Sequence, residues 1–222
     1  MILKSFCIGL AVCMASVSTA QAQTVFDVKL AGAKLGTLTY AATGTTERMN
    51  TTLSNTPMGV FNGTMEAVSK LGGGVQRFTA KTGAERKSRT VVVTHKAGRV
   101  VETSVEPAIQ ITPLSNPARV PAGTIDPVQA IGKMVNAPDC PAKMTIYDGR
   151  RAVTLTPKEA AIKDGVQICK MSYRVVAGPP HLSPINVSKA RMTLRYSASG
   201  APRKLMQIDV SHGIFKVRLS RR

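Results

Sequence analysis

The chain has no tryptophan and few other aromatic residues, with four Tyr and five Phe among 222 residues. Proteins that bind single-stranded nucleic acids need exposed rings on which the bases stack. Acidic residues are scarce as well: 12 Asp and Glu stand against 30 Lys and Arg, for a formal net charge of +18. The charge suggests an anionic partner, or it serves solubility alone. The shortage of rings argues against nucleic acid as that partner.

The first 22 residues have the organisation of a secretory signal peptide. Lys4 precedes an apolar run from Ser5 to Val17, and Ala20-Gln21-Ala22 supplies the small residues of a cleavage site. The run is short for a bilayer span, and no later stretch is long and apolar enough to be transmembrane. We therefore expect residues 23–222 to be one soluble domain, exported to the periplasm. Export is a second argument against a nucleic-acid partner.

Cysteine is also scarce, and two of the four residues, Cys7 and Cys13, would leave with the signal peptide. In an oxidising compartment the remaining pair, Cys140 and Cys169, most simply forms a disulfide. Closing a loop of this size contributes about 3–4 kcal/mol in the chain-entropy model. The alternative is a reactive thiol, which needs a neighbouring base. Three histidines could provide that base: His95, His181 and His212.

Short segments of alternating apolar and polar residues run along most of the chain, which is typical of an antiparallel β protein. For example, Lys96-Ala97-Gly98 predicts a hairpin turn between strands at 90–95 and 99–105. Residues 60–70 could form a strand or an amphipathic helix. Residues 156–159 resemble a capping box and could begin a turn of helix that ends at Gly165.

One helix is predicted after an irregular, Pro-rich connection at 106–125. Asp126 is a good N-cap residue and Pro127 suits the first helical position. The apolar residues that follow form one stripe: Val128, Ile131, Met134 and Val135. A single amphipathic helix in a mainly β chain most simply lies against a sheet.

The C-terminal segment predicts a cationic surface. Residues 189–222 contain nine basic residues and one acid, Asp209. Apolar residues alternate with basic ones there, so the strands would present one strongly cationic outer face, whether it is merely solvated or binds a partner. The candidates for binding an anionic surface are Arg191, Arg195, Lys216 and Arg218, with Arg150 and Arg151 from the Asp148-Gly149 turn.

Four stretches in order carry a family resemblance: TIDPVQAI at 124–131, IYDGRR at 146–151 after Cys140, YRVVAG at 173–178 after Cys169, and GIFKVRL at 213–219. Together they resemble exported bacterial proteins grouped as domain of unknown function 3108, in the form found in alphaproteobacteria. The resemblance implies an open, curled antiparallel sheet, an incomplete β-barrel wrapped around the central helix. That fold is similar to the periplasmic lipoprotein carriers, in which a concave apolar face accepts acyl chains.

No catalytic motif is present: the sequence lacks a Gly-x-Ser-x-Gly elbow, a phosphate-binding Gly-rich loop, a His-Glu-x-x-His site and a Cys-x-x-Cys pair. The histidines lack a ligand-like spacing, so we expect no enzyme, cofactor or metal. The predicted function is that of a periplasmic cell-envelope protein that binds a lipid, a lipoprotein acyl chain or another apolar ligand in its concave face. The alternative is a structural or docking protein that binds anionic envelope surfaces through its basic outer strands and encloses no ligand.

Overall fold

The structure, a computed structural model, describes residues 23–56, 62–84, 87–181, 186–198 and 203–222. The predicted signal peptide and the first residues of the 60–70 segment lie outside the described residues.

Strands make up most of the described chain. The N-terminal series is β1 (Thr24–Leu30), β2 (Ala33–Thr43), β3 (Thr46–Leu53), β4 (Gly63–Gly72), β5 (Val75–Ala84), β6 (Lys87–Lys96) and β7 (Arg99–Glu106). Three short 3-10 turns follow at Ala108–Gln110, Pro113–Ser115 and Pro117–Arg119. The remaining elements are β8 (Thr124–Ile125), α1 (Pro127–Val135), β9 (Met144–Tyr147), β10 (Ala152–Lys163), β11 (Val166–Ala177), β12 (Lys189–Tyr196), β13 (Leu205–His212) and β14 (Phe215–Arg221).

All fourteen strands belong to one sheet, in the order β7-β6-β5-β4-β3-β2-β1-β14-β13-β12-β11-β10-β9-β8. The first and last strands pair with each other, with Phe26 opposite Arg221, and so join the two halves of the chain. Neighbours are antiparallel except β8 and β9, which are parallel. The sheet curls until it is nearly closed into a barrel with an unsealed seam. The predicted fold class is confirmed.

The connection between β7 and β8 lies along this seam. The Tyr147 hydroxyl of β9 donates to the Leu114 carbonyl at 2.8 Å and lies 3.3 Å from the Thr103 hydroxyl of β7. Ser115 donates to the Gly149 carbonyl at 2.9 Å. The irregular segment predicted at 106–125 therefore links the two ends of the sheet by side chains rather than by a β ladder.

The helix lies inside the curl. It contacts β2, β3, β4 and β9, and the Tyr196 hydroxyl of β12 donates to the Met134 carbonyl at 2.9 Å. Asp126 caps the helix as predicted, because its Oδ1 accepts the backbone N–H groups of Val128 and Gln129, each at 2.9 Å. Because strands approach from several sides, burial extends beyond one stripe and includes Gly132.

Two local expectations are resolved by the structure. The 60–70 segment, where described, is strand β4. The turn of helix expected after residue 156 is wrong, because β10 continues as a strand to Lys163. The register with β11 shifts between Pro157 and Glu159, and such an irregularity accommodates a residue without an N–H donor. Asp164 and Gly165, with φ of 50° and 73°, then make the tight turn.

Candidate functional site

An open cleft of about 720 Å³ lies beside the C-terminal half of α1. The helix, β3, the β8–β9 edge and the loop at 136–143 form its walls. The volume is within the range of pockets that hold small molecules. Its lining contains two acids and two lysines among apolar and small residues: Glu47, Asp139, Lys133 and Lys143, with Ile125, Gly132, Asn136 and Met144.

Part of the cleft lining is apolar. Ile125 and Met144 contribute from β8 and β9, and Ala137, Pro141 and Ala142 contribute from the loop, which also carries Asp139 and Lys143. The apolar part can shelter hydrocarbon from water, which is favourable in proportion to the apolar area removed.

The lining also includes Glu47 on β3. Its Oε1 accepts a hydrogen bond from the Tyr40 hydroxyl at 3.0 Å. Burial and the charge of Glu47 raise the pKa of Tyr40, so this hydroxyl stays protonated and donates. The other oxygen, Oε2, is shielded from solvent and has no hydrogen-bond partner among the described residues. An unsatisfied buried acceptor is costly.

A second acid, Asp126, lies near Glu47. Asp126 is fully buried, and its Oδ2 accepts a hydrogen bond from the Ser69 hydroxyl. Ser69 in turn accepts from Gln76 Nε2 at 2.6 Å. Burial raises the pKa of Asp126 to about 6; the hydrogen bonds oppose the rise and the charge of Glu47 adds to it. The inner face thus holds two neighbouring acids.

No sequence motif marks Glu47 as a site residue. It lies two residues before the buried Met49 on the same strand, and residues two apart on a strand face the same side of the sheet. The sequence feature that could have indicated Glu47 is an acidic residue at a strand position that faces the core. The contact with the helix, eighty residues further along the chain, was not accessible to that reasoning.

The cysteine pair fixes a wall of the cleft. Cys140 and Cys169 are at disulfide-bonding distance, with their Cα atoms 5.5 Å apart. Cys140 belongs to the lining loop, and Cys169 lies in the core on β11. Asp139, beside Cys140, accepts a hydrogen bond from Gln167 of β11. The loop is therefore attached to the sheet at two adjacent residues. Because the loop is already held in place, a ligand would lose less binding free energy to ordering it.

The predicted cationic candidates separate into two groups. Arg218, Arg195 and Lys216 surround Asp209, with nitrogens 2.8, 3.9 and 4.0 Å from its carboxylate oxygens. Arg191 lies on the same face of β12, opposite Ser211 of β13.

Arg150 and Arg151 make different contacts, within the turn between β9 and β10. The Arg151 Nε lies 3.1 Å from Asp148 Oδ2, and its Nη1 donates to the Pro180 carbonyl at 2.9 Å. The Arg150 Nε donates to the Gln110 carbonyl at 2.6 Å. These contacts hold the turn against neighbouring segments, and none of them joins the Asp209 group.

The histidines are not brought together. The Thr124 hydroxyl lies 3.4 Å from the His95 ring, His181 is hydrogen-bonded to the Tyr173 hydroxyl, and the His212 Nδ1 lies 2.7 Å from the Lys189 carbonyl oxygen. Within the described ranges there is no group of three His, Cys, Asp or Glu residues that could hold a metal ion. Nor is any helix in those ranges long and apolar enough to cross a membrane.

Comparison with solved structures finds a protein of similar overall shape. No protein-family model matches the chain, and no curated protein matches it. Among solved structures it is similar to a beta-barrel-like protein of domain of unknown function DUF1849 from Brucella abortus. The TM-score is 0.49 at 13% identity, and the match covers 91% of this chain and 95% of that chain. Membership of domain of unknown function 3108 stays a prediction.

Proposed function

We propose that this protein is a non-enzymatic periplasmic protein of the cell envelope that binds a lipid or another apolar ligand. The observation that carries the proposal is the cleft of about 720 Å³ beside the enclosed helix. Elsewhere the helix and fully buried side chains such as Phe26, Leu155 and Leu194 fill the concave side of the sheet. The ligand is therefore assigned to the cleft rather than to the whole concave face.

An acyl chain suits the apolar part of the cleft lining. Each methylene group that moves out of water contributes about 0.8 kcal/mol, so affinity should rise with chain length until the cleft is full. Met144 belongs to this part of the lining, and its flexible thioether side chain can adapt to a variable tail.

The periplasmic assignment rests on sequence and chemistry. The first 22 residues have the organisation of a signal peptide, and the Cys140–Cys169 pair suits an oxidising compartment. The four stretches described above support the further proposal that the chain belongs to domain of unknown function 3108.

The test is to purify the protein natively and to extract it for lipid mass spectrometry. We expect a co-purifying lipid, and we expect Ala142→Trp to abolish its recovery, because Ala142 is an exposed residue that lines the cleft. Ala160→Trp, on the exposed part of β10, is the matched control and should retain the lipid. Absence of lipid, together with failure of the delipidated protein to take up a fatty alcohol, would contradict the proposal.

A second candidate function is docking on an anionic envelope surface. The three cations around Asp209 exceed its single negative charge, and their side chains are 41–55% exposed. Binding to vesicles rich in phosphatidylglycerol should then weaken steeply with salt. Replacing Arg191, Arg195, Lys216 and Arg218 together by Gln should abolish co-sedimentation. Unchanged co-sedimentation of that variant would eliminate this candidate.

A further inference from the structure

We infer that one end of the curled sheet binds a phosphate monoester between Arg89, Arg150 and Arg151. None of these residues lines the cleft beside the helix, so the inference goes beyond the proposed function and does not depend on it. Its basis is the convergence of three guanidinium groups on a single acid, with a neutral tyrosine–histidine pair beside them.

The turn between β9 and β10 brings the three arginines together. Gly149 in this turn lies against β6, because a Cβ atom added to it would overlap the Val91 side chain. Arg89 lies two residues before Val91 on β6, and side chains two residues apart on a strand project to the same side of the sheet. Arg89 therefore projects toward the turn that carries Arg150 and Arg151.

The cluster contains more positive charge than the described residues compensate. Its acid is Asp148, whose Oδ2 lies 3.1 Å from the Arg151 Nε without the alignment of a hydrogen bond. The Arg150 Nε donates to the Gln110 carbonyl, which is neutral. The Arg89 side chain forms no ion pair or hydrogen bond with any described residue. Three cations therefore share one carboxylate, which leaves an excess of two positive charges.

The next acid along the sheet does not reduce this excess. Glu106 of β7 pairs in register with Thr90, which follows Arg89 and projects to the other side of the sheet. Burial lowers the pKa of Arg89 and of Arg150, and in both cases the charge of a neighbouring arginine adds to the decrease. An anion between the arginines would relieve this repulsion.

The neutral pair lies next to Arg151. The Arg151 Nη1 donates to the carbonyl of Pro180 at 2.9 Å, and His181 follows Pro180 and is hydrogen-bonded to the Tyr173 hydroxyl. Burial and the charge of Arg151 lower the pKa of His181 to about 4, so the imidazole is neutral near pH 7. Burial raises the pKa of Tyr173, so its hydroxyl stays protonated. The pair adds hydrogen-bonding groups to the cluster and no charge.

These properties match a phosphate monoester. The side chains of Arg89, Arg150, Tyr173 and His181 are partly exposed, so a ligand can reach the cluster from solvent. The planar guanidinium group pairs with two oxygens of a phosphate or a carboxylate. A phosphate monoester carries close to two negative charges at neutral pH and balances the excess, whereas a carboxylate carries one. The same group occurs in soluble phosphate esters and in the lipid head group of phosphatidic acid.

The experiment titrates three anions into the protein by calorimetry near pH 7: glycerol 3-phosphate, dioctanoyl phosphatidic acid below its micelle concentration, and acetate. We expect saturable binding of both phosphates, and acetate should bind at least roughly tenfold more weakly. Arg89→Gln should weaken phosphate binding roughly tenfold, because charge-assisted hydrogen bonds are lost. Equal affinity for the two phosphates would identify a soluble ester as the ligand. Tighter binding of the phosphatidic acid that Arg89→Gln reduces would identify a lipid head group.

Arg174→Gln is the matched control. It removes the same charge from an exposed position on β11, next to Tyr173 in the chain but on the other side of the sheet. Its phosphate affinity should equal that of the unaltered protein.

Two results would overturn the site and leave the cleft proposal standing. One is the absence of saturable binding of either phosphate. The other is that Arg89→Gln weakens binding no more than Arg174→Gln does, which is what the overall positive charge alone predicts. If Arg89→Gln does not fold, the unaltered protein decides the matter: binding of glycerol 3-phosphate should persist at about 0.15 M salt, where attraction beyond about 8 Å is screened, and its loss there would overturn the site.

Discussion

Acidic side chains on the two faces of the curled sheet are accommodated in different ways. On the outer face, Asp209 lies 2.8 Å from the Arg218 guanidinium, and Asp27 lies 2.7 Å from Arg222. On the inner face, Asp126 is held by a hydroxyl and two backbone N–H groups, and Glu47 by one hydroxyl. The cations of the outer face stay partly in water when they pair with an acid, although they cover Asp209 so that its side chain is only 7% exposed. A cation buried on the inner face would lose its hydration. Neutral donors therefore take their place inside.

This difference extends to the pKa values of the acids. Hydrogen bonds from Lys34 and Arg222 lower the pKa of Asp27. Burial raises the pKa of Asp126 to about 6. The stability of the fold should therefore depend on the protonation of Asp126 between about pH 4 and pH 6. The contribution of the outer acids to stability should instead depend on salt and on their cationic partners.

The largest difference in the loss of stability is expected between substitutions of two adjacent residues on β12. Leu194 is fully buried on the inner face, whereas Arg195 is on the outer face and 41% of its side chain is exposed. Leu194→Ala should lower the free energy of unfolding by about 2–5 kcal/mol, because a cavity remains. Arg195→Ala should cost no more than about 1 kcal/mol, since exposed ion pairs contribute little. Urea unfolding of both variants checks this, and similar losses would show that the faces are not distinct.

A smaller effect, dependent on pH, is expected for Asp126→Asn. Because the folded pKa of about 6 exceeds the ordinary value of 3.8, the native carboxyl group binds its proton more tightly than the unfolded one. Its contribution to stability is therefore greatest below about pH 4 and falls as the pH rises to about 6. Asparagine keeps a capping oxygen without this titration. The variant should gain stability relative to the wild type across this window, by up to about 3 kcal/mol.

The measurement for Asp126→Asn is the difference in unfolding free energy between variant and wild type from about pH 4 to 7. A difference is needed because burial lowers the pKa of His181 to about 4, which makes stability change in the opposite direction over the same range. Asp164→Asn makes the same substitution in the exposed β10–β11 turn and is the control. A difference for Asp126→Asn that does not change with pH would mean that burial does not perturb this acid.

Much of this architecture follows from local sequence. Alternation predicts the C-terminal strands because Met192, Leu194 and Tyr196 face the core while the intervening residues do not. Asp126 and Pro127 locate the start of the helix because capping depends only on neighbouring residues. The curled arrangement came from the family resemblance, since alternation does not specify how far a sheet closes.

Other features depend on contacts that local patterns do not encode. The sequence at 156–159 resembles a helix start, yet pairing with β11 makes it a strand, so tertiary context overrides the local preference. The same holds for Glu47, whose role depends on a helix that begins eighty residues later. Asp209 was noted only as a lone acid, and the convergence of Arg195, Lys216 and Arg218 on it required the register of β12, β13 and β14.

The smallest effect is expected for Asp209→Asn on the outer face. Asp209 itself is only 7% exposed, but an Asn oxygen can keep the hydrogen bond from Gln207 Nε2. The variant leaves Arg195, Lys216 and Arg218 without their shared acid, yet these side chains are 41–55% exposed and can turn toward water. The loss of stability should therefore be about 1 kcal/mol and should shrink in about 1 M salt, where the Debye length is about 3 Å. Urea unfolding at low and high salt measures it, with Asp164→Asn as control. If the outer face docks on anionic surfaces, the same variant should bind phosphatidylglycerol vesicles more tightly, because that face becomes more positive. Weaker vesicle binding by a folded Asp209→Asn protein would mean that the ion-pair geometry, and not the excess charge, is what the surface recognises.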